Sequence, residues 1–259
     1  MHFILQQNIN ENDLKSLIDA IEKEGHTYET FFHIPFDTSY PNLENTTEDL
    51  FVYAASSVTD QIFDDYEYRM MGVCNHTKSI NINKLYDKAS DLMWSNRIYQ
   101  GTLESLIDLD LDCELFVRPE IDDKLFSGMV CDSLELCDMA KRMIEADSHL
   151  SYEKVFVAEV NMPMIEYRLF IVGDEVVTSS KYRENGIVIT EHDSPQNVKD
   201  IALEFYKRVG MRIPCVIDVA VSENDIGVIE VNSIHNSGFY AIDKEKLIRA
   251  LAKEFIETW

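Results

Sequence analysis

Basic residues are scarce in this 259-residue chain: 23 lysines and arginines stand against 47 aspartates and glutamates, a formal charge of −24. Tight nucleic-acid binding needs a cationic surface that displaces counterions, so that class is excluded, and anionic membranes are repelled for the same reason. No apolar run approaches the roughly 18 residues that a membrane helix requires. The opening His2-Phe3-Ile4-Leu5-Gln6-Gln7 has no basic flank and too short an apolar stretch for a signal peptide, and reads as a first strand. Five cysteines (Cys74, Cys113, Cys131, Cys137, Cys215) are scattered without a CxxC pair, which argues against structural zinc and against a disulfide framework. The expected location is the cytoplasm. Low-complexity tracts and internal repeats are absent. So are GxGxxG, GxxxxGK[ST], GxSxG and HExxH, which removes the dinucleotide fingerprint, the P-loop and any positive case for a hydrolase or zincin.

What is present describes a globular protein with a substantial core, 46% hydrophobic and 10% aromatic, in one large domain or two to three lobes. Residues 2–9 predict a strand, and a helix opens at Asn12 or Asp13 with Leu14, Leu17, Ile18 and Ile21 on one face and a stop near Gly25. Strands around 28–34 and 50–54 follow, with a loop over 36–48 between them, so the start reads as a small open α/β lobe. The pattern from Lys84 to about Leu106 predicts a helix. Leu115–Arg118 reads as a strand that stops at Pro119, and Ser133–Ala146 as a helix. Beyond it, β-branched and aromatic runs at 155–160, 167–172 and 175–180 read as strands, with Gly173-Asp174 as a two-residue hairpin turn. Ser194-Pro195 predicts an N-cap and first helical residue, and Gly210 the stop. Residues 215–221 and 227–231 form a second hairpin around Glu223-Asn224-Asp225, and a last helix capped by Asp243 carries Leu247, Leu251 and Phe255 on one stripe.

In so acidic a chain a phosphate ligand needs local positive charge or a metal, which makes the few cations informative. On the second hairpin, Glu230 and Asn232 point to one face because side chains alternate along a strand. Asp218 joins them if the connection has an odd number of residues. Two carboxylates and an amide carbonyl make a hard oxygen site suited to Mg²⁺ that bridges phosphates, and a solvated polar face fits the same spacing. If Gly173 and Asp174 are the turn, Arg168 opposes Ser179 and Glu166 opposes Lys181, which puts Glu166, Arg168, Lys181 and Arg183 on one face. That cluster reads either as an anion site or as cross-strand salt bridges in water. Arg118-Pro119 with Lys124 and Ser127-Gly128 is a third place where side chains and backbone N–H groups can approach phosphate. His235, three residues past Asn232, is either structural or catalytic.

Taken in order, these pieces resemble the ATP-grasp superfamily from about Leu115 to Asp243. Asp218…Glu230-Val231-Asn232 looks like the family's metal-binding Asp…Glu-x-Asn, and Val155-Phe156-Val157-Ala158-Glu159-Val160 looks like the strand and hinge that hold adenine. Arg118-Pro119, Lys124, Phe126-Ser127-Gly128, Glu166-Tyr167-Arg168, Ser180-Lys181-Tyr182-Arg183 and Asn236-Ser237-Gly238-Phe239-Tyr240 resemble a clade common in phages and bacteria and thought to hold peptide or amino-acid ligases. The resemblance implies an α/β (α+β) ATP-grasp fold in which two α+β lobes sandwich ATP. A lobe over 1–80 precedes the ATP-grasp domain over 81–259, itself split into a central lobe (about 81–157) and a C-terminal lobe (about 158–259).

The same resemblance implies site roles. Asp218, Glu230 and Asn232 would hold one or two Mg²⁺ ions, or Mn²⁺. Backbone groups at Glu159 and Val160 would meet the adenine edge, and Glu166 the ribose. Arg118 and Lys124 would take phosphate, and Arg168, Lys181 and Arg183 would act on substrate or the transferring phosphoryl group. Arg118 stands where the family's phosphate-binding lysine is expected, and the glycine loop shrinks to Gly128. The implied activity joins a small-molecule or peptide carboxylate to an amine through an acyl phosphate, with Asn236-Ser237-Gly238 either lending N–H groups to that species or serving as a plain loop. A kinase on the same scaffold and a non-catalytic nucleotide-binding module are the alternatives. A protein partner or a homodimer is compatible with the acidic surface.

Overall fold

The computed structural model describes residues 1–8, 11–34, 40–43, 49–66, 80–121 and 125–257. Lys124, Cys74 and the greater part of the loop expected over 36–48 lie outside them, as does the Phe255 side chain. The described residues form three sheets.

The first sheet is parallel, in order β2-β1-β3, from β1 (His2–Gln6), β2 (Thr27–Phe31) and β3 (Leu50–Tyr53). Parallel strands need a crossover, and α1 (Glu11–Lys23) supplies one. A further helix, α2 (Ser56–Tyr66), follows β3 and was not legible from periodicity. The lobe expected at the start of the chain is present in this form.

The second sheet is antiparallel, in order β4-β7-β5-β6, from β4 (Arg97–Thr102), β5 (Leu115–Pro119), β6 (Met129–Cys131) and β7 (Lys154–Glu159). Here the long helix expected from Lys84 breaks. Helix α3 (Ile82–Ala89) ends in a 3₁₀ turn at Ser90–Leu92, and 97–102 is strand. The alternating, aromatic-containing Arg97-Ile98-Tyr99-Gln100 finds the open edge of β7, and that pairing outweighs a local helical pattern. Helix α4 (Ser133–Ala146) covers one face, opened by a capping box in which Asp132 and Glu135 satisfy each other's backbone N–H groups. Leu115, Val117, Val155 and Val157 pack with Leu136 and Ala140 of α4. The alternate residues, Phe116 and Arg118, look the other way.

The third sheet runs β10-β9-β8-β11-β12, from β8 (Ile165–Val172), β9 (Glu175–Glu184), β10 (Ile187–His192), β11 (Cys215–Val221) and β12 (Ile226–Asn232), all antiparallel. The turn between β8 and β9 is Gly173 (φ 58°) and Asp174 (φ 64°), positive at both positions as a type I′ turn requires. One face packs Tyr167, Leu169, Ile171, Ile217 and Val219 against α5 (Gln196–Val209). Gly210 ends that helix at φ 73°. Its N-cap is Pro195 rather than Ser194, because the buried Ser194 hydroxyl donates instead to Ser179 Oγ at 2.9 Å.

The opposite face changes character along the strands. Phe170, Val172 and Val216 join a core with Phe3, Leu5, Phe51 and Tyr53 of the first sheet and with α6 (Lys244–Glu257). Further along, the same face carries Arg168, Glu166 and Asp218, and it looks across a cleft at Phe116 and Arg118.

Candidate nucleotide and metal site

The charged face is assembled by irregularities in the ladder. The β11–β12 connection has four residues, 222–225, which in an unbroken register sets Ile229 opposite Asp218 and turns Glu230 away. A bulge at Ile229 adds the missing residue, and Asp218 pairs with Glu230. Bulges of this kind re-aim side chains. The pairs Ser180↔Arg168, Arg168↔Asp218 and Asp218↔Glu230 therefore run as one row across four strands.

Strand β9 carries two further irregularities, and they correct the expected register. Arg168 opposes Ser180, not Ser179, and Glu166 opposes Arg183, not Lys181. Lys181 opposes Tyr167, so it lies on the α5 side of the sheet, away from Arg168. There it bonds Glu191 (2.5 Å) and Glu184 (2.9 Å), and those two carboxylates raise its pKa. The structure does not bring Lys181 together with the other cations, and Lys124 is outside the described residues.

The remaining groups converge. Arg168 clamps Asp218 with Nε on Oδ1 (2.9 Å) and Nη2 on Oδ2 (2.7 Å). Asp218 is fully buried, which pushes its pKa up to about 6 against the pull of Arg168, with the Glu230 charge adding to the rise. For Arg168, burial opposes its charge, and the Asp218 carboxylate outweighs it, so its pKa is raised. Glu166 accepts from Tyr182 Oη (2.5 Å) on one oxygen and from Arg183 Nη1 (3.2 Å) on the other. Burial, then Asp218 and Glu166, keep the Tyr182 phenol protonated well above its usual range. Glu230 accepts from Asn232 Nδ2 (2.8 Å) on Oε1, and from Arg118 Nη1 (3.1 Å), which reaches over from the central sheet, on Oε2.

Two clefts adjoin this row and share Phe116. One, of about 230 Å³, is lined by Trp94, Phe116, Val160, Met162, Glu166 and Arg183 among others. The second, of about 170 Å³, lies between Arg118, Ser127, Gly128 and Glu230. Together they fall in the range of small-molecule sites, roughly 300–1,000 Å³. A mostly apolar slot leads here into one that holds the Arg118–Glu230 ion pair. Gly128 sits against the Phe116 ring, where a Cβ would stand 3.0 Å from Cζ. Val160 lines the slot, whereas Glu159 does not. The Glu159 N–H goes to Asn96 O (2.9 Å), and its carboxylate accepts from Asn96 Nδ2 (3.1 Å).

The Glu230 carboxylate and the Asn232 amide oxygen would suit a magnesium ion, whereas both Asp218 oxygens are engaged by Arg168. Among the described residues no group of three or more His, Cys, Asp or Glu is spaced to hold a metal by protein side chains alone. His235 serves the core: it is buried, its ring nitrogen Nδ1 bonds Val52 O at 2.5 Å, and it packs on Phe51. The segment 236–238 is a joint rather than an open loop. Asn236 Nδ2 meets Ser56 Oγ (2.5 Å), Ser237 O accepts from Tyr53 Oη (3.3 Å), and Gly238 O from Arg168 Nη1 (3.4 Å). Tyr182 and Tyr240 escaped the sequence reading as site residues. Both stand inside stretches that carry the resemblance, beside Arg183 and Phe239, yet nothing in their spacing says that their rings meet.

The fold is shared with solved ATP-grasp proteins along nearly the whole chain. D-alanine–D-alanine ligase from Bacillus anthracis superposes with a TM-score of 0.65 at 14% identity, covering 100% of this chain and 98% of that one. D-cycloserine synthetase DcsG gives 0.65 at 13% identity, covering 98% and 99%. The macrocyclase MdnC from Microcystis aeruginosa MRC, bound with precursor peptide MdnA, gives 0.58 at 13%, covering 99% and 100%. No curated protein matches in sequence. Among the described residues no helix is long and apolar enough to cross a membrane. A family model for an ATP-grasp domain, the second family of its clade, matches residues 95–250, and the chain belongs to that ATP-grasp family.

Proposed function

We propose that this chain is an ADP-forming ligase that uses ATP to activate a carboxylate, from an amino acid or peptide, for attack by an amine. The observation that carries the reading is the meeting of Arg118, from one sheet, with the Asp218–Glu230–Asn232 row of another, at the mouth of an apolar slot. Two of the structural neighbours bear on it: the B. anthracis D-alanine–D-alanine ligase has been solved complexed with ATP, and the ATP-grasp ligase PsnB with a minimal precursor, Mg and ADP.

In this reading the base enters between Phe116, Val160, Met162 and Ile229, and Glu166 accepts from the ribose hydroxyls. Arg118 turns from Glu230 to the phosphates, where its fork suits their oxygens. Glu230 and Asn232 are the groups that would hold magnesium, which when bound supplies charge to the β- and γ-phosphates. Arg183, on the rim of the slot beside Glu166, would supply a further cation toward the phosphates. Its side chain is 43% exposed. The substrate carboxylate takes the γ-phosphoryl group, giving an acyl phosphate and ADP. The amine then displaces phosphate. No protein nucleophile is needed, so positioning and electrostatics carry the rate.

Thermal stability with ATP, with Mg²⁺ and with both, beside a Glu230→Ala variant, tests the binding half. A ligand that binds only the native state raises the midpoint by mass action. The expected rise needs both ligands and is lost in the variant, and no rise at millimolar ATP and Mg²⁺ removes the reading. ADP release that depends on a carboxylate and an amine together marks a ligase. Release with a hydroxyl compound alone marks a kinase, and binding without turnover marks a nucleotide-binding module.

A further inference from the structure

We propose that Arg168 is a fixed internal cation standing where a second divalent ion would sit, so that this chain holds its nucleotide with a single metal on Glu230 and Asn232. The inference rests on the nucleotide-and-metal reading of the cleft given above.

The two carboxylates of the row differ in what holds them. Asp218 has no exposed surface, and both of its oxygens are taken by one guanidinium in a two-point fork, with the Tyr182 hydroxyl a further 3.4 Å from Oδ2. Glu230 is 30% exposed at its side chain, and its cation is a single contact from the opposite sheet. Arg118 can leave Glu230 for phosphate without uncovering a buried charge. Arg168 cannot leave Asp218 on those terms.

Arg168 is itself locked. Its guanidinium carbon lies 5.3 Å from the Tyr182 ring centroid and 5.2 Å from that of Tyr240, and the two rings stack 5.0 Å apart at 15°. The third nitrogen, Nη1, points to Gly238 O at 3.4 Å. Tyr240 holds φ at +50°, a conformation that bulky residues adopt only where the surroundings impose it. That strain is spent on placing a ring against the guanidinium. The arginine fork already occupies both carboxylate oxygens that a dication would need, and its charge repels one. A second ion at Asp218 would have to share an enclosed space with that charge.

Native mass spectrometry of the whole chain with Mn²⁺ and the non-hydrolysable nucleotide AMPPNP counts the ions directly. The count is the increment that appears with nucleotide, which sets aside loose binding to a surface of charge −24. The expected complex carries one nucleotide and one manganese, and its electron paramagnetic resonance spectrum keeps the resolved hyperfine pattern of an isolated ion. Two manganese ions, with the exchange broadening of a pair about 4 Å apart, overturn the inference and leave the nucleotide reading standing. Nucleotide without manganese, or neither ligand, overturns the nucleotide-and-metal reading and the inference with it. Arg168→Met frees the Asp218 carboxylate, and the folded variant is expected to take up a second manganese with AMPPNP. A folded variant that still binds one rejects the substitution of arginine for metal. The wild-type count decides the matter even if that variant fails to fold.

Discussion

Asp218 and Glu230 face each other across one ladder step, yet losing either has a different cost. Removing Asp218 leaves Arg168 buried with an unpaired charge, the situation in which breaking an ion pair costs about 3–5 kcal/mol. Glu230 is partly in water, and a glutamine there keeps an oxygen for the buried Arg118, so Glu230→Gln is expected to cost less stability than Asp218→Ala. Urea unfolding of Asp218→Ala and Glu230→Gln checks the contrast, while the nucleotide-dependent rise in melting temperature is expected to vanish in Glu230→Gln. Equal losses of stability in the two variants would contradict the burial argument. At this scale much of the site was legible: alternation alone places Glu230 and Asn232 on one face, and the Gly173-Asp174 turn reads directly from its residue types. Lys181 was misplaced because an inserted residue at Val177 shifts the register by one before the strand reaches it, and nothing in the local residue types announces a bulge. Tyr182 and Tyr240 are far apart in sequence, so their stack is a tertiary fact that no periodicity reports.

Between elements, the central lobe meets the third sheet where β12 passes the segment after α3. Met93 bridges to Val228, and Trp94 N donates to Val228 O at 2.8 Å. Trp94 Nε1 donates to Asn161 O (2.6 Å), and Asn161 Nδ2 returns a bond to Trp94 O (3.1 Å). Gly227 makes this approach possible: a Cβ there would stand 2.8 Å from Trp94 N and 2.9 Å from its Cα, both backbone atoms that cannot swing aside. Gly227→Ala is therefore expected to cost about 1–3 kcal/mol, the range for overpacking, and to weaken nucleotide binding because Trp94 and Asn161 line the slot. Denaturation and nucleotide titration of the same variant test both halves, and an unchanged melting temperature would sink the close-approach argument. The elements that escaped the sequence reading share a cause. Strand β4 alternates over only four residues inside a stretch that also reads as a helix and owes its existence to the edge of β7, whereas β6 is three residues long and β10 is exposed throughout, so neither of those carries an alternation that burial would impose.

For the molecule as a whole, the sequence suggests a boundary near residue 80, but packing runs across it without a break. Phe3, Leu5, Leu17, Ile21, Phe51 and Tyr53 share one core with Phe170, Val172, Val216, Phe239, Leu247 and Leu251. Tyr53 stacks on Phe239 at 4.8 Å between centroids, and Ala54 N donates to His235 O at 3.0 Å. The central sheet has a core of its own, under α4. A three-stranded parallel sheet depends on what covers its faces, and one face here is covered by the C-terminal part of the chain. The first lobe and the third sheet should therefore open together, with the central sheet as a separate unit. Native-state hydrogen exchange tests this by the opening free energy of each strand. Amides of β1 and β3 are expected to share one opening energy and one denaturant dependence with those of β8 and β11, while β5 and β7 form a distinct set. If β1 and β3 exchange freely while β8 and β11 stay protected, the shared core does not couple the two. With a metal–nucleotide complex in the cleft, β5 and β12 should gain protection together, since Arg118 and Glu230 would then be tied to one ligand instead of to each other.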